Sequence, residues 1–449
     1  MNIIVSNRER TVDKILRSAM LPVRELLPDA LIENLCRKVG HEWRERVFNP
    51  VVTVLVCVWK HLQPGSVSLR ACEDFAASLA GLPAASKPRD GKDVCLARAR
   101  LPEGVFQAVT EQVGAVAQRT AALVYRGLRV VMGDGTTVRT PNTAALEERF
   151  GCSRNAVRQS RSPLLRIVLL ICAGCSAVLN VRIGAYAASE PALFLQLVAH
   201  FTPDMLFLGD RGYAAFVLLS MLRRQQAQFV VRVSSRLLTN SKRTLGYRDD
   251  VRAWLRPSPS QTVFAHLLEH LPESMEVRVI ERTIRRAGYR TWTLRIATSL
   301  LDPAQYPAEE LIDLYLRRWR IETALRTLKT HGHWAHLTGK TPDIARKEIH
   351  CAVLAHNCVC ALMAQSGEAP ELLSPKRVRE LIQTYAGHMC FAATAHLPTL
   401  FKALLRMIAT ALQLPQKRGP EPRAIVQRPS TFPVLMTSRD EWKRRQRSA

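Results

Sequence analysis

LRVVMGDGTTV (Leu128–Val138) is a β-branched, apolar run that closes on Gly133 and Asp134, as a buried strand with a carboxylate at its end does. Two more apolar runs follow, LLRIVLLICA (Leu164–Ala173) and VLNVRIG (Val178–Gly184), and Gly174 to Ala177 between them reads as a hairpin turn. Next come a helix from Ser189 to Phe201, with Ser189 as its cap and Pro191 in its first turn, and the strand MLFLGD (Met205–Asp210). A helix from Ala214 to Gln226 and the strand FVVRV (Phe229–Val233) complete the unit. Three strands, helix, strand, helix, strand predicts an α/β fold with a mixed sheet.

Outward from this core the pattern changes on both sides. Residues 1–125 read as helical, and two stretches in them, RKVGHEWRERVF (Arg37–Phe48) and LARARLPEGVF (Leu96–Phe106), are basic amphipathic helices of the kind that contacts DNA. Residues 234–290 read as a β-rich, arginine-rich insertion, which includes Arg278 and Arg282. A strand from Thr291 to Leu300 then leads through Pro303 and Pro307 into a long helix, Ala308 to Lys329. The predicted divisions are a helical region 1–125, a core 126–335 containing the insertion, a helical region 336–414, and a basic, proline-rich tail 415–449.

Composition narrows the partner. Of 449 residues, 64 are Lys or Arg and 38 are Asp or Glu, a net charge of +26 that points to a polyanion such as nucleic acid. The longest apolar stretch, Ile167 to Val181, is too short to span a bilayer, and MNIIVSNRER has no signal-peptide core, so no membrane contact and a cytoplasmic location are expected. Eleven scattered cysteines fit reduced thiols; Cys172 and Cys175 form a C-x-x-C pair without two further ligands at zinc spacing and read as buried. HGHWAH offers His331, His333 and His336 to a zinc ion but no evident fourth ligand, and no Walker-type phosphate loop occurs.

The chemistry gathers on three carboxylates. Asp134 and Asp210 each stand at the carboxyl end of an apolar strand beside a glycine, where ligands collect in open α/β sheets and where two aspartates can share Mg²⁺. Either alone reads equally as a turn cap. On an ideal helix, Tyr315, Arg318, Trp319, Glu322, Arg326 and Lys329 fall in a sector of about 100° beside an apolar stripe of Leu314, Ile321, Leu325 and Leu328. Such a face combines a carboxylate, cations for phosphate and rings for base stacking. A plain Glu322–Arg326 surface pair leaves the other residues of that face unexplained.

The run YLRRWRIETALRTLK (Tyr315–Lys329) fills every position of Y-(2)-R-(3)-E-(6)-K with Tyr315, Arg318, Glu322 and Lys329. With DGTTVRTPNT (Asp134–Thr143) and LGDRGYAAFVLL (Leu208–Leu219) it resembles the bacterial DDE transposases of the insertion-sequence-4 family over residues 30–430. The resemblance implies an RNase H-like mixed sheet with a β-rich insertion, flanked by helical regions. It implies metal-dependent cleavage and strand transfer at the inverted-repeat ends of a mobile element. It further implies Asp134, Asp210 and Glu322 as ligands of Mg²⁺, with Mn²⁺ able to substitute, and a homodimer that synapses two DNA ends. Tyr315, Arg318, Trp319, Arg326 and Lys329 are the implied DNA contacts, joined by Arg211 beside the second aspartate and by Trp292, near the place of a base-stacking tryptophan in relatives. The rivals are an RNase H-like nuclease without strand transfer and a transposase-derived DNA-binding protein. The basic flanks and the Tyr-Arg-Glu-Lys helix weigh against the first, and three intact carboxylates weigh against the second.

Overall fold

The computed structural model describes residues 26–44, 48–63, 91–153, 162–234, 239–285, 291–331 and 337–413, with Val23, Trp334, Glu441 and 444–446 besides. Helices α1 (Asp29–Lys38), α2 (Pro50–Leu62), α3 (Lys92–Arg100) and α4 (Glu103–Ala121) open the described chain. Neither basic stretch is one continuous helix. The first leaves α1 at Lys38 and turns at Gly40, whose φ of +70° suits glycine, and residues 45–47 lie outside the described chain. The second is cut at Leu101, which is extended because Pro102 excludes a helical residue before it.

The core follows in the predicted order. It comprises β1 (Val124–Tyr125), β2 (Leu128–Arg139), α5 (Ala144–Phe150), β3 (Leu164–Cys172), β4 (Val178–Ala185), α6 (Glu190–Leu195), β5 (Met205–Gly209), α7 (Phe216–Arg224) and β6 (Gln228–Arg232). The two-residue strand β1 and helix α5 are the elements of this set that the sequence pattern did not predict; Thr143 caps α5 by accepting from the Leu146 amide. The expected helix to Phe201 stops at Leu195 and is followed by a 3₁₀ turn, Val198–His200. Strands β2, β5 and β6 run parallel, while β3 and β4 are antiparallel, in the order β4-β3-β2-β5-β6 of an RNase H-like sheet. The hairpin turn needs its glycine: a Cβ on Gly174 would lie 2.1 Å from the Ala121 carbonyl oxygen.

The insertion prolongs this sheet. Strands β7 (Thr239–Gly246), β8 (Asp249–Leu255), β9 (Ser274–Ile284) and β10 (Trp292–Thr298) continue the order from β6 as β10-β9-β8-β7, with Ile296 of β10 opposite Arg232. Arg278, one of the expected run of basic residues, is 1% exposed and grips both oxygens of Asp249 at 2.8 and 2.6 Å, while donating to the Tyr306 carbonyl. A buried guanidinium needs such complete pairing, so this arginine is structural. Arg282 and Arg248 likewise pair with Glu309 and Glu281.

Helices α8 (Ala308–Leu316), α9 (Arg320–His331), α10 (Pro342–Gln365), α11 (Pro375–Phe391) and α12 (Leu397–Ala409) complete the fold. The expected single helix from Ala308 to Lys329 is two helices joined by a 3₁₀ turn at Arg317–Trp319. On one face of the sheet, α8 and α9 pack Tyr315, Ile321, Leu325 and Leu328 against Met132, Leu206 and Leu208. On the other, α6 and α7 share a core with helices from both ends of the chain. Asn357 of α10 locks that second layer, accepting from the Val178 amide and donating to the Val178 and Thr110 carbonyls. Gly114 lets α4 approach β4 there, since a Cβ would sit 2.3 Å from the Val178 oxygen.

Nine cysteines among the described residues are free, and Cys172 and Cys175 are buried as the sequence predicts. His356 and Cys360, from α10, come close to this pair, but His356 Nε2 is 2.9 Å from the Ser176 carbonyl oxygen. His333 and His336 lie outside the described residues. No helix among the described residues is long and apolar enough to cross a membrane.

Candidate active site

Strand register carries the two aspartates to one level. Met132 of β2 pairs with Leu208 of β5, so two residues further on Asp134 stands opposite Asp210. Side chains alternate along a strand, so both carboxylates leave the sheet on the face of Met132 and Leu208, the face that α8 and α9 cover. There the strands part: β2 runs on beside β3, with Asp134 opposite Leu169, while β5 stops at Gly209. Asp210 caps the 3₁₀ turn Arg211–Tyr213, its Oδ1 accepting from the Gly212 amide at 2.8 Å. The turn-cap reading is thus realised, and the capping fixes the carboxylate where the strands diverge. Asp134 Oδ1 accepts from the Gly135 amide, also at 2.8 Å.

The opposite face of β2 is bare beside Asp134. A Cβ at Gly133 would meet Phe207 at 2.8 Å, and one at Gly135 would meet the Glu190 carboxyl carbon at 2.3 Å. Glu190, the first residue of α6, therefore lies directly across Gly135, where Arg166 Nη1 holds its Oε1 at 2.8 Å. Sequence reading missed this carboxylate because an acid in the first turn of a helix is commonplace.

Charge is crowded here. Burial is the largest cause lifting the Asp134 carboxyl to about 6; the Gly135 amide and Arg318 oppose it, and Asp210 and Glu190 add to it. Arg318, in the 3₁₀ turn, is the cation over this cluster, and its Nη2 lies 3.7 Å from Glu322 Oε1. The broken helix thus sets a guanidinium between the aspartates and the third carboxylate. Among the described residues no three acidic, histidine or cysteine side chains meet at distances that would hold an ion as they stand. The donors fit a hard divalent cation in kind, being carboxylate oxygens. The phenol of Tyr213 adds to the fit: it is 1% exposed, has no hydrogen-bond partner among the described residues, and feels the charges of Glu190, Asp134, Asp210 and Arg318.

The raised Asp134 carboxyl has a consequence for stability. Its folded value, about 6, exceeds its ordinary 3.8, so the folded state binds the extra proton between these values and loses stability as pH rises through them. Asp134→Asn is expected to stabilise the metal-free protein by about 1–2 kcal/mol at pH 7.5 and by nearly nothing at pH 4. Urea unfolding at the two pH values checks it; equal effects at both would contradict the crowding.

Residues 125–358 match the family described as the transposase DDE domain. The chain belongs to the DDE transposases. It is 26% identical to the transposase InsG of insertion sequence element IS4 from Escherichia coli (strain K12) over 359 residues, which cover 74% of this chain and 78% of InsG. It is 27% identical to the putative transposase InsZ of the same organism over 124 residues, 27% of this chain and 41% of InsZ. Among solved structures, the piggyBac transposase synaptic complex with hairpin DNA aligns with a TM-score of 0.41 and 10% identity, covering 89% of this chain and 86% of that one.

The transposase's expected DNA face is divided by the 3₁₀ turn. Trp319 is 64% exposed, and Arg326, Lys329 and Arg211 are exposed too. Tyr315, expected on that open face, is 5% exposed and packs in the core, where its phenol lies beside Arg318, Arg232 and Asp210. The face computed for an ideal helix does not persist through a tighter turn, which rotates the residues before it inward. Trp292 opens β10 with its ring partly exposed, and the Arg232 guanidinium lies 5.3 Å from the ring centroid. Arg232 thereby links Trp292 to Tyr315, a connection made only by folding.

Proposed function

We propose that this DNA transposase cuts and joins its element's inverted-repeat ends at Asp134, Asp210 and Glu322, which hold Mg²⁺ or, in its place, Mn²⁺. The observation that carries the reading is the juxtaposition of Asp134 and Asp210 at the parting of β2 and β5, beneath the helix of Glu322. Bound divalent cations supply Lewis-acid polarisation of the scissile phosphate and an activated water or 3′-hydroxyl. The protein's own residues orient the DNA. Arg318, 15% exposed over the carboxylates, neutralises phosphate at the reacting end, and Arg326, Lys329 and Arg211 carry the backbone beyond it. Trp319 and Trp292 offer exposed rings to unstacked bases, and Tyr315 orients Arg318 from beneath. Cleavage of DNA carrying the ends of the element, in Mg²⁺ and with EDTA as control, tests the function; uncut DNA in Mg²⁺ would overturn it.

Arg318→Ala and Lys329→Ala are each expected to weaken end binding and to flatten its salt dependence by about one unit of log–log slope. Unchanged slopes for both would remove this stripe from the DNA interface.

We further propose that the enzyme is a cytoplasmic, nucleoid-associated protein that works as a homodimer, each subunit cutting the end recognised by the other. An Asp134→Ala protein mixed with one whose basic amino-terminal segment is neutralised should cut although neither cuts alone. Cleavage by single subunits on isolated ends would refute the dimer.

A further inference from the structure

Glu190 reaches the candidate site from the face of the sheet opposite Asp134. It can do so because the residue after Asp134 is Gly135, whose missing Cβ leaves the space that the Glu190 carboxyl fills. Its position is built. Arg166 holds Glu190 Oε1 at 2.8 Å, and Arg166 is itself fixed by two hydrogen bonds to the Tyr186 carbonyl and by stacking over the Tyr186 ring. Among the described residues only one carboxylate oxygen is taken in this way, and the side chain is 35% exposed.

A second observation is independent of the acidic groups. The Tyr213 hydroxyl is buried without a hydrogen-bond partner among the described residues, and charged groups around it include Glu190, Asp134, Asp210 and Arg318. A buried hydroxyl left unpaired is costly, so its position among these groups points to a polar species that it meets in the working enzyme.

We propose that Glu190 is a fourth carboxylate of the cation site, oriented by Arg166, and that the Tyr213 hydroxyl hydrogen-bonds to the water shell of the ion held there. The inference rests on the reading that Asp134 and Asp210 bind the cation, and adds to it a wall contributed from the other face of β2. Hydrated Mg²⁺ and Mn²⁺ suit such a wall, because they keep several waters that outer carboxylates and hydroxyls can orient.

The test is Mn²⁺ binding to the full-length, DNA-free protein by calorimetry, with circular dichroism as a check on folding. Glu190→Gln should weaken Mn²⁺ affinity about tenfold and Tyr213→Phe about threefold, with Asp134→Asn as the reference for loss of the site. Glu190→Asp, which keeps the charge on a shorter arm, should fall between wild type and Glu190→Gln, and stands in if the latter does not fold. Wild-type affinity in Glu190→Gln or Glu190→Asp, with binding lost in Asp134→Asn, would overturn this inference and leave the aspartate site intact. Wild-type affinity in Asp134→Asn would overturn both.

Discussion

Alanine at Asp134, Asp210 or Glu322 is expected to lower cleavage of element ends by about 10²–10³-fold, the scale on which losing one preorganised transition-state-stabilising group acts, while end binding persists. Each substitution removes an anion and leaves Arg318, Arg326 and Lys329 in place, so attraction for DNA phosphate is undiminished. Glu322 is the most informative of the three. Its oxygen lies 3.7 Å from Arg318 and it is half-buried, so a purely structural Glu322 would be a surface ion pair worth less than about 1 kcal/mol. Loss of cleavage with unchanged thermal stability therefore separates a ligand from a pair. Near wild-type cleavage in any one variant removes that residue from the site.

The second large effect is on stability. Glu348, on α10 and 2% exposed, accepts from Lys60 Nζ of α2, from the Thr338 amide and hydroxyl, and from the Gly339 amide. One carboxylate thus ties the amino-terminal helices to α10 and to the segment that follows the Glu322 helix. Burial alone would raise its pKa, but Lys60, His61 and Arg98 hold it below the ordinary 4.5. The stabilisation it gives is therefore present above that value and lost as pH falls below it. Glu348→Ala leaves Lys60, itself 6% exposed, charged and unpaired in the core, and is expected to cost about 3–5 kcal/mol. Urea unfolding at pH 7 measures it, and a loss below about 1 kcal/mol would contradict the role given to this network.

The core was legible where local pattern and tertiary structure agree. The apolar runs at Leu164–Cys172 and Val178–Ala185 are buried strands in a hairpin, and Met205–Gly209 is buried along its whole length. Asp210 follows the end of β5 as expected, whereas Asp134 lies inside β2, which runs on to Arg139 beside β3; what ends before Asp134 is the pairing of β2 with β5. The residues Arg317–Trp319 were not legible as a 3₁₀ turn, since RRW carries no proline or glycine and fits an α-helix equally well. That single turn is what buries Tyr315 while leaving Trp319 exposed. Glu190, Arg232 and Tyr213 were invisible for another reason: long-range packing brings them to the site, and no spacing along the chain records it. The same holds for Asn357, which joins α4, β4 and α10 from a stretch that reads as apolar helix.

Ligand exchange at the aspartates tests the central claim most directly. Asp210→Cys replaces a hard oxygen donor with a soft thiolate that binds Mg²⁺ poorly and Mn²⁺ or Cd²⁺ better. Cleavage of element-end DNA by Asp210→Cys is expected to be lost in Mg²⁺ and to return, at least in part, when Mn²⁺ or Cd²⁺ is supplied, whereas Asp210→Ala stays inactive in all three. Full activity of Asp210→Cys in Mg²⁺, or recovery of Asp210→Ala along with it, would contradict a metal-ligating role for Asp210.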